Sequence, residues 1–254
     1  MSDVSRETPS TPESARRVFS SERLPLAERY AGLLATDGVI RGLIGPREAP
    51  RLWERHLVNC ALLAEPIPAD VSVCDIGSGA GLPGLVLAIA RPDLRITLVE
   101  PLLRRTTFLE EVVTALALDH VEVVRGRADA LHGERTFDVV TSRAVAPLGR
   151  LLDWSMPLVA PTGALLAMKG SSIETEIEEA ADELARWGCG APEVLTLGAE
   201  LPADLAVSTT VAVRVAWADP GRVSWPLATG AAARTSKGRA GPRSPSKRKR
   251  RRSA

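Results

Sequence analysis

The sequence is short of cysteine. Cys60, Cys74 and Cys189 are far apart and odd in number, which excludes a disulfide framework and any zinc-binding spacing. Long apolar runs are also missing. The best local ones, at 85–90 and 112–118, fall well below the roughly 18 residues that cross a bilayer. The polar start, 1–21, lacks the apolar core of a secretory signal. No internal repeat is present, and neither sign of charge dominates: 32 Lys and Arg stand against 31 Asp and Glu, a net +1. These absences predict a cytoplasmic protein in a reducing compartment, with no membrane and no metal among its partners.

Hydrophobic residues make up 45% of the 254 positions and charged ones 25%, enough apolar material for the core of one large domain. The near-neutral total conceals a division. Residues 234–254 hold ten Lys or Arg and no acid, which leaves 22 basic against 31 acidic groups elsewhere. The body therefore carries −9 and the tail +10, an asymmetry typical of chains with a nucleic-acid-binding arm.

Patterning divides the chain further. Residues 1–13 are rich in Ser, Thr and Pro and read as disordered. Residues 14–69 form an N-terminal helical segment, in which Leu52, Trp53, His56, Leu57, Cys60, Leu63 and Ala64 recur at helical spacing after a break at 42–46. Residues 70–218 alternate strands with helices. Strands are expected at 71–76, 95–100, 121–124, 137–141 and 164–168, with helices at about 83–90, around 108–116, and at 148–158. Ser171 and Glu174 have the spacing of a capping box and open one helix with the stripe Ile173, Ile177, Ala180, Ala181 and Leu184. Two late strands, 193–197 and 209–217, follow with no helix between them. This order predicts an α/β fold: a doubly wound, mostly parallel seven-stranded sheet with an antiparallel pair at one edge. That ending is the architecture of S-adenosylmethionine (SAM) methyltransferases. Residues 219–254 read as a linker and a disordered basic tail.

Between the first strand and the first helix runs Asp75-Ile76-Gly77-Ser78-Gly79-Ala80-Gly81-Leu82-Pro83-Gly84. Gly77, Gly79 and Gly81 fit a methyltransferase loop, whereas Gly79, Gly81 and Gly84 fit the G-x-G-x-x-G of NAD proteins. Charge separates them. A carboxylate at Asp75 repels a pyrophosphate at the helix N-terminus but attracts the sulfonium and ammonium of SAM. Glu100, ending the second strand, suits ribose hydroxyls of either cofactor. After the third strand, Asp129 is placed to accept the adenine amino group beside the Ala128 backbone, or simply to cap a helical turn.

The fourth strand leads into Ser142-Arg143-Ala144-Val145-Ala146-Pro147. No Asn/Asp-Pro-Pro-aromatic motif for exocyclic amines occurs here, and no cysteine for covalent attack on a pyrimidine. What remains is transfer to an atom with a free lone pair, such as guanine N7, where catalysis rests on proximity and orientation. No proton-transferring catalytic residue is expected. Arg143 is the residue expected to contribute, as a clamp on the cofactor carboxylate or an RNA phosphate, with pairing to a structural acid as the alternative. His56 reads as a hydrogen-bonded core histidine.

Five segments, 55–59, 75–84, 104–109, 137–144 and 168–170, make the resemblance specific. Within roughly 20–217 the chain resembles the RsmG (GidB) family of SAM-dependent guanine-N7 methyltransferases of bacterial 16S rRNA. The resemblance implies methylation of one guanine in the decoding-region loop, SAM as cofactor, and contacts to it at Gly77, Leu82, Ala128, Asp129 and Arg143. It implies 16S rRNA or the small ribosomal subunit as partner, and a monomer is expected. Cys60 stands where relatives often have Ser, and Leu82 where they often have Phe; the basic tail lies outside the family's pattern.

An acidic body must meet RNA through local basic surface. The candidates are Arg47, Arg51 and Arg55, Arg104 and Arg105, Lys169 at the end of the fifth strand, and the tail residues Lys247, Arg248, Lys249 and Arg250 through Arg252. The rival readings are an NAD-dependent oxidoreductase and a non-catalytic RNA-binding factor of the same fold.

Overall fold

The computed structural model describes residues 10–201 and 209–224. The tail residues Lys247, Arg248, Lys249 and Arg250 lie outside them, as do residues 1–9. Seven strands form one sheet in the order β3-β2-β1-β4-β5-β7-β6. They are β1 (Ser72–Ile76), β2 (Arg95–Glu100), β3 (Val121–Arg125), β4 (Phe137–Arg143), β5 (Val159–Lys169), β6 (Glu193–Leu197) and β7 (Thr210–Ala216). The first five are mutually parallel, and β7 runs antiparallel to both β5 and β6. The predicted class and the antiparallel edge pair are both present.

The helices are α1 (Glu13–Val18), α2 (Leu24–Leu33), α3 (Asn59–Leu62), α4 (Gly84–Ala90), α5 (Leu103–Leu116), α6 (Leu148–Ser155), α7 (Ile173–Glu179) and α8 (Ala181–Trp187). Order begins ahead of the first helix, where the Thr11 hydroxyl donates to Glu28 at 2.7 Å. In the N-terminal segment, two stretches, Leu34–Gly38 and Trp53–Val58, are wound as π-helix. Such widened turns commonly accompany functional sites.

Two details depart from the sequence-based expectation. β5 starts at Val159 rather than 164, because the strand continues through Pro161-Thr162-Gly163 with a register shift against β4. Gly163 permits this: a Cβ there would stand 2.6 Å from the Asp138 carbonyl. The expected helix from Ser171 is two helices that meet at Ala180, and the capping box does not form. Ser172 precedes α7, and its hydroxyl reaches Glu176 at 3.4 Å.

Alternation along the strands sorts side chains onto two faces. Val73, Ile96, Leu98, Val139, Leu166 and Met168 join one buried cluster with α4, α5 and the N-terminal segment, including Tyr30, Leu34 and Leu57. Cys74, Ile76, Val99, Val140, Leu165 and Ala167 join a second, with Leu148, Leu151, Leu152 and Trp217. The same parity places Asp75, Glu100 and Arg143 on the face covered by the N-terminal segment. Among the described residues, no helix is long and apolar enough to cross a membrane.

Candidate functional site

Two cavities open at the carboxyl ends of the parallel strands, where ligands bind in doubly wound sheets. The smaller, about 200 Å³, is walled by Gly77 after β1, Pro101 after β2, Ala128 and Asp129 after β3, Val145 after β4, and Trp154 of α6. The larger, about 650 Å³, lies between the 142–147 loop and the N-terminal segment. Glu48, Arg55, His56, Arg143, Lys169 and Glu176 supply its charged or titratable wall, and Val145 lines both cavities.

The glycine loop follows the strand end in a left-handed course, with Gly77 at φ +69° and Gly79 at φ +60°. At Gly77 the absent side chain matters twice: an added Cβ would be strained there and would stand 3.0 Å from a Val145 methyl, narrowing the small cavity that both residues line. Glu100 holds the loop from below. Its Oε2 accepts from the Gly79 amide at 3.0 Å and its Oε1 from the Leu102 amide at 3.0 Å. With 1% exposure it braces the loop.

Asp75 does not face either cavity. It has no exposed surface, and its Oδ2 accepts from the Gly84 amide at 3.0 Å, at the start of α4. Burial pushes its pKa up to about 7. The Asp75 side chain, the residue on which the choice of cofactor turns in the sequence, thus serves to dock α4. Parity explains this: Asp75 follows Val73 onto the face under α4. Leu82 likewise turns from the cavities and packs against the core beside the N-terminal segment.

Ala128 and Asp129 sit as expected, in a short 3-10 turn against the small cavity. Trp154 of α6 also lines the small cavity, a place the sequence does not mark. Its partly buried indole ring supplies the aromatic wall that Leu82 does not, and nothing in the helical pattern of 148–158 distinguished it from core.

Arg143, the last residue of β4, projects into the large cavity. Its guanidinium donates to His56 Nδ1 and to Cys60 Sγ, the latter at 3.3 Å. Among the described residues no carboxylate pairs with it, so the structural ion pair weighed for Arg143 is absent. Lys169, in contrast, is fully engaged: its Nζ donates to the Ala146 carbonyl at 2.8 Å and pairs with Glu176 at 2.7 Å, with 7% of the side chain exposed. Glu176 also accepts from the Leu148 amide at 2.9 Å. Lys169 therefore fastens the 144–147 loop to α7 rather than offering a free cation to RNA. Arg105 pairs with Glu100 at 3.3 Å, while Arg104 is exposed at the start of α5 beside Leu103, itself 62% exposed. His120 and His132 meet backbone carbonyls of Ala88 and Trp154 at 3.1 and 2.9 Å.

The family model described as "rRNA small subunit methyltransferase G" (GidB) matches residues 23–200. The chain belongs to this family. A Ribosomal RNA small subunit methyltransferase G from a Nocardioides species is 74% identical over 226 residues, covering 89% of each chain. A protein of the same name from Streptomyces avermitilis is 54% identical, covering 92% of this chain and 97% of its own. Among solved structures, the mitomycin 7-O-methyltransferase MmcR superposes with a TM-score of 0.51 at 20% identity, covering 81% of this chain and 66% of its own. M. jannaschii TYW2 in complex with AdoMet gives 0.50 at 17%, covering 63% and 74%. At these identities the superpositions show the fold. GidB membership makes this chain a SAM-dependent rRNA methyltransferase and disposes of the NAD reading that the overlapping glycines allowed.

Proposed function

We propose that the chain methylates N7 of one guanine in bacterial 16S rRNA, using the smaller cavity for the adenosine part of SAM and the larger for the target guanine. The observation that carries this reading is Arg143 at the wall of the large cavity, a cation that no carboxylate among the described residues neutralises, with Val145 linking that cavity to the glycine loop. The residues present fit the cofactor. Gly77 keeps open a cradle that a Cβ would fill, Ala128 and Asp129 address the adenine edge, and Trp154 gives it an apolar face.

SAM, when bound, supplies an electrophilic methyl group that an unprotonated ring nitrogen takes with its lone pair. The protein's own work is alignment. Arg143 offers a planar fork to the cofactor's carboxylate, Gly77 and Gly79 let the backbone approach, and the Lys169–Glu176 pair fixes the loop at 144–147 over the junction. No general base is needed because N7 carries no proton. Arg104 and the basic residues 247–252 are the proposed RNA contacts, and the finer assignments of small-subunit substrate, monomeric state and cytoplasmic location belong to the same reading.

The test is transfer of labelled methyl from SAM to small subunits taken from a strain lacking the enzyme, with the modified nucleotide mapped. A single labelled guanine N7 is the expected product; label elsewhere, or RNA binding without transfer, removes the reading. Calorimetry on Arg143→Ala should show weakened SAM binding; a loss confined to the KM for RNA reassigns Arg143 to a phosphate.

A further inference from the structure

His56 belongs to the π-wound stretch Trp53–Val58 of the N-terminal segment, 87 residues before Arg143 in sequence. Its ring stands between two charged groups. Arg143 faces Nδ1, and Glu48 Oε2 lies 3.1 Å from Nε2. A guanidinium only donates hydrogen bonds, so Nδ1 must present its lone pair. The ring proton then resides on Nε2 and is donated to Glu48. Only one tautomer of a neutral ring satisfies both partners.

We propose that His56 is a positioning residue for methyl transfer: held as the Nε2–H tautomer by Glu48, it aims the Arg143 guanidinium into the site without neutralising it. A carboxylate in that place would cancel the charge offered to an anionic ligand. An imidazole and the Cys60 thiol orient the fork while consuming none of its charge, and two of its five N–H groups suffice. Burial and the neighbouring Arg143 cation push the His56 pKa down to about 4, so the ring stays neutral at physiological pH. The inference rests on the reading of Arg143 given above.

The test is a double-mutant cycle on the full-length protein with SAM and small subunits. His56→Leu keeps an apolar side chain of similar bulk but removes the acceptor, and should lower kcat/KM about 100-fold, the order expected of a misplaced binding group. In His56→Asn, the amide oxygen replaces Nδ1, and activity should return to within about 10-fold of the parent. In an Arg143→Ala background, His56→Leu should cost nothing more. Additive losses, or equal losses in the Leu and Asn variants that track the fall in melting temperature, would reduce His56 to a structural residue. If Arg143→Ala itself is fully active, the reading of Arg143 fails instead, and His56 has nothing to position. Independent of folding of any variant, nitrogen NMR of the parent protein, which has three histidines, should show His56 as the neutral Nε2–H tautomer at pH 7. The Nδ1–H tautomer or a charged ring overturns the proposal. Calorimetry with SAM alone separates a cofactor carboxylate from an RNA phosphate as the anion that Arg143 receives.

Discussion

Tyr30, the chain's one tyrosine, donates its hydroxyl to the Ala80 carbonyl at 2.7 Å, tying α2 to the glycine loop. The side chain is completely buried, so water cannot replace the bond. Burial also drives the Tyr30 pKa well above its usual value, which keeps the hydroxyl a donor. Tyr30→Phe leaves the Ala80 carbonyl unpaired and should cost about 1–3 kcal/mol of stability. Urea unfolding measures that loss, and calorimetry should show weaker SAM binding as the loop loosens. A variant as stable as the parent would mean the carbonyl finds another donor.

Gly77 and Gly188 share nearly the same left-handed backbone, at φ +69° and +67°, yet differ in surroundings. An added Cβ meets Val145 at 3.0 Å in the first and nothing within 4 Å in the second. Gly188→Ala should cost only the backbone strain, on the order of 1 kcal/mol. Gly77→Ala should cost that and also shrink the small cavity, with SAM affinity falling at least about 10-fold. Paired calorimetry and thermal melts decide; equal SAM affinity in the two variants would dissociate the cavity from the cofactor.

Asp75 yields a pH prediction with a definite sign. Its folded pKa of about 7 lies above the ordinary 3.8, so between those values the folded state binds more protons than the unfolded one. Its contribution to stability is complete below about pH 4 and lost as pH rises towards 7. His56 has the opposite sign, because its pKa is lowered to about 4, and it masks part of the slope in the parent. Asp75→Asn removes the Asp75 contribution while keeping an acceptor for the Gly84 amide. Relative to the parent, the variant should gain stability between about pH 4 and 7, at most about 1.4 kcal/mol per unit. Urea unfolding at pH 4.5, 5.5 and 6.5 follows it; a constant difference would show that Asp75 stays ionised.

Deleting residues 234–254 removes ten basic residues and leaves a body of charge −9. If five of them meet single-stranded phosphates, the log–log salt slope of RNA binding should fall by about 3.5. SAM affinity should not change. Titrations across a salt series check this, and an unaltered slope would free the tail from any role in RNA contact.

Much of the architecture was legible in the order of residues. Short β-rich runs at 95–100 and 137–141, glycines at the β1–α4 turn, and a helix-free pair of late strands, the last alternating at 211, 213, 215 and 217, determine a doubly wound sheet with an antiparallel edge, since backbone preferences act locally. The same local information placed Gly77, Ala128 and Asp129 at the carboxyl ends of strands. Side-chain partnership was not legible, because it depends on which face a residue takes and on what lies across from it. Parity turned Asp75 under α4 and Arg143 towards His56. Glu176 captured Lys169, and Trp154 entered the wall of the small cavity from α6, as a helical stripe alone could not reveal. Sequence determined which elements exist and where the binding edge lies; only tertiary packing decided which charges are cancelled there, as at Lys169, and which, like that of Arg143, meet no carboxylate among the described residues.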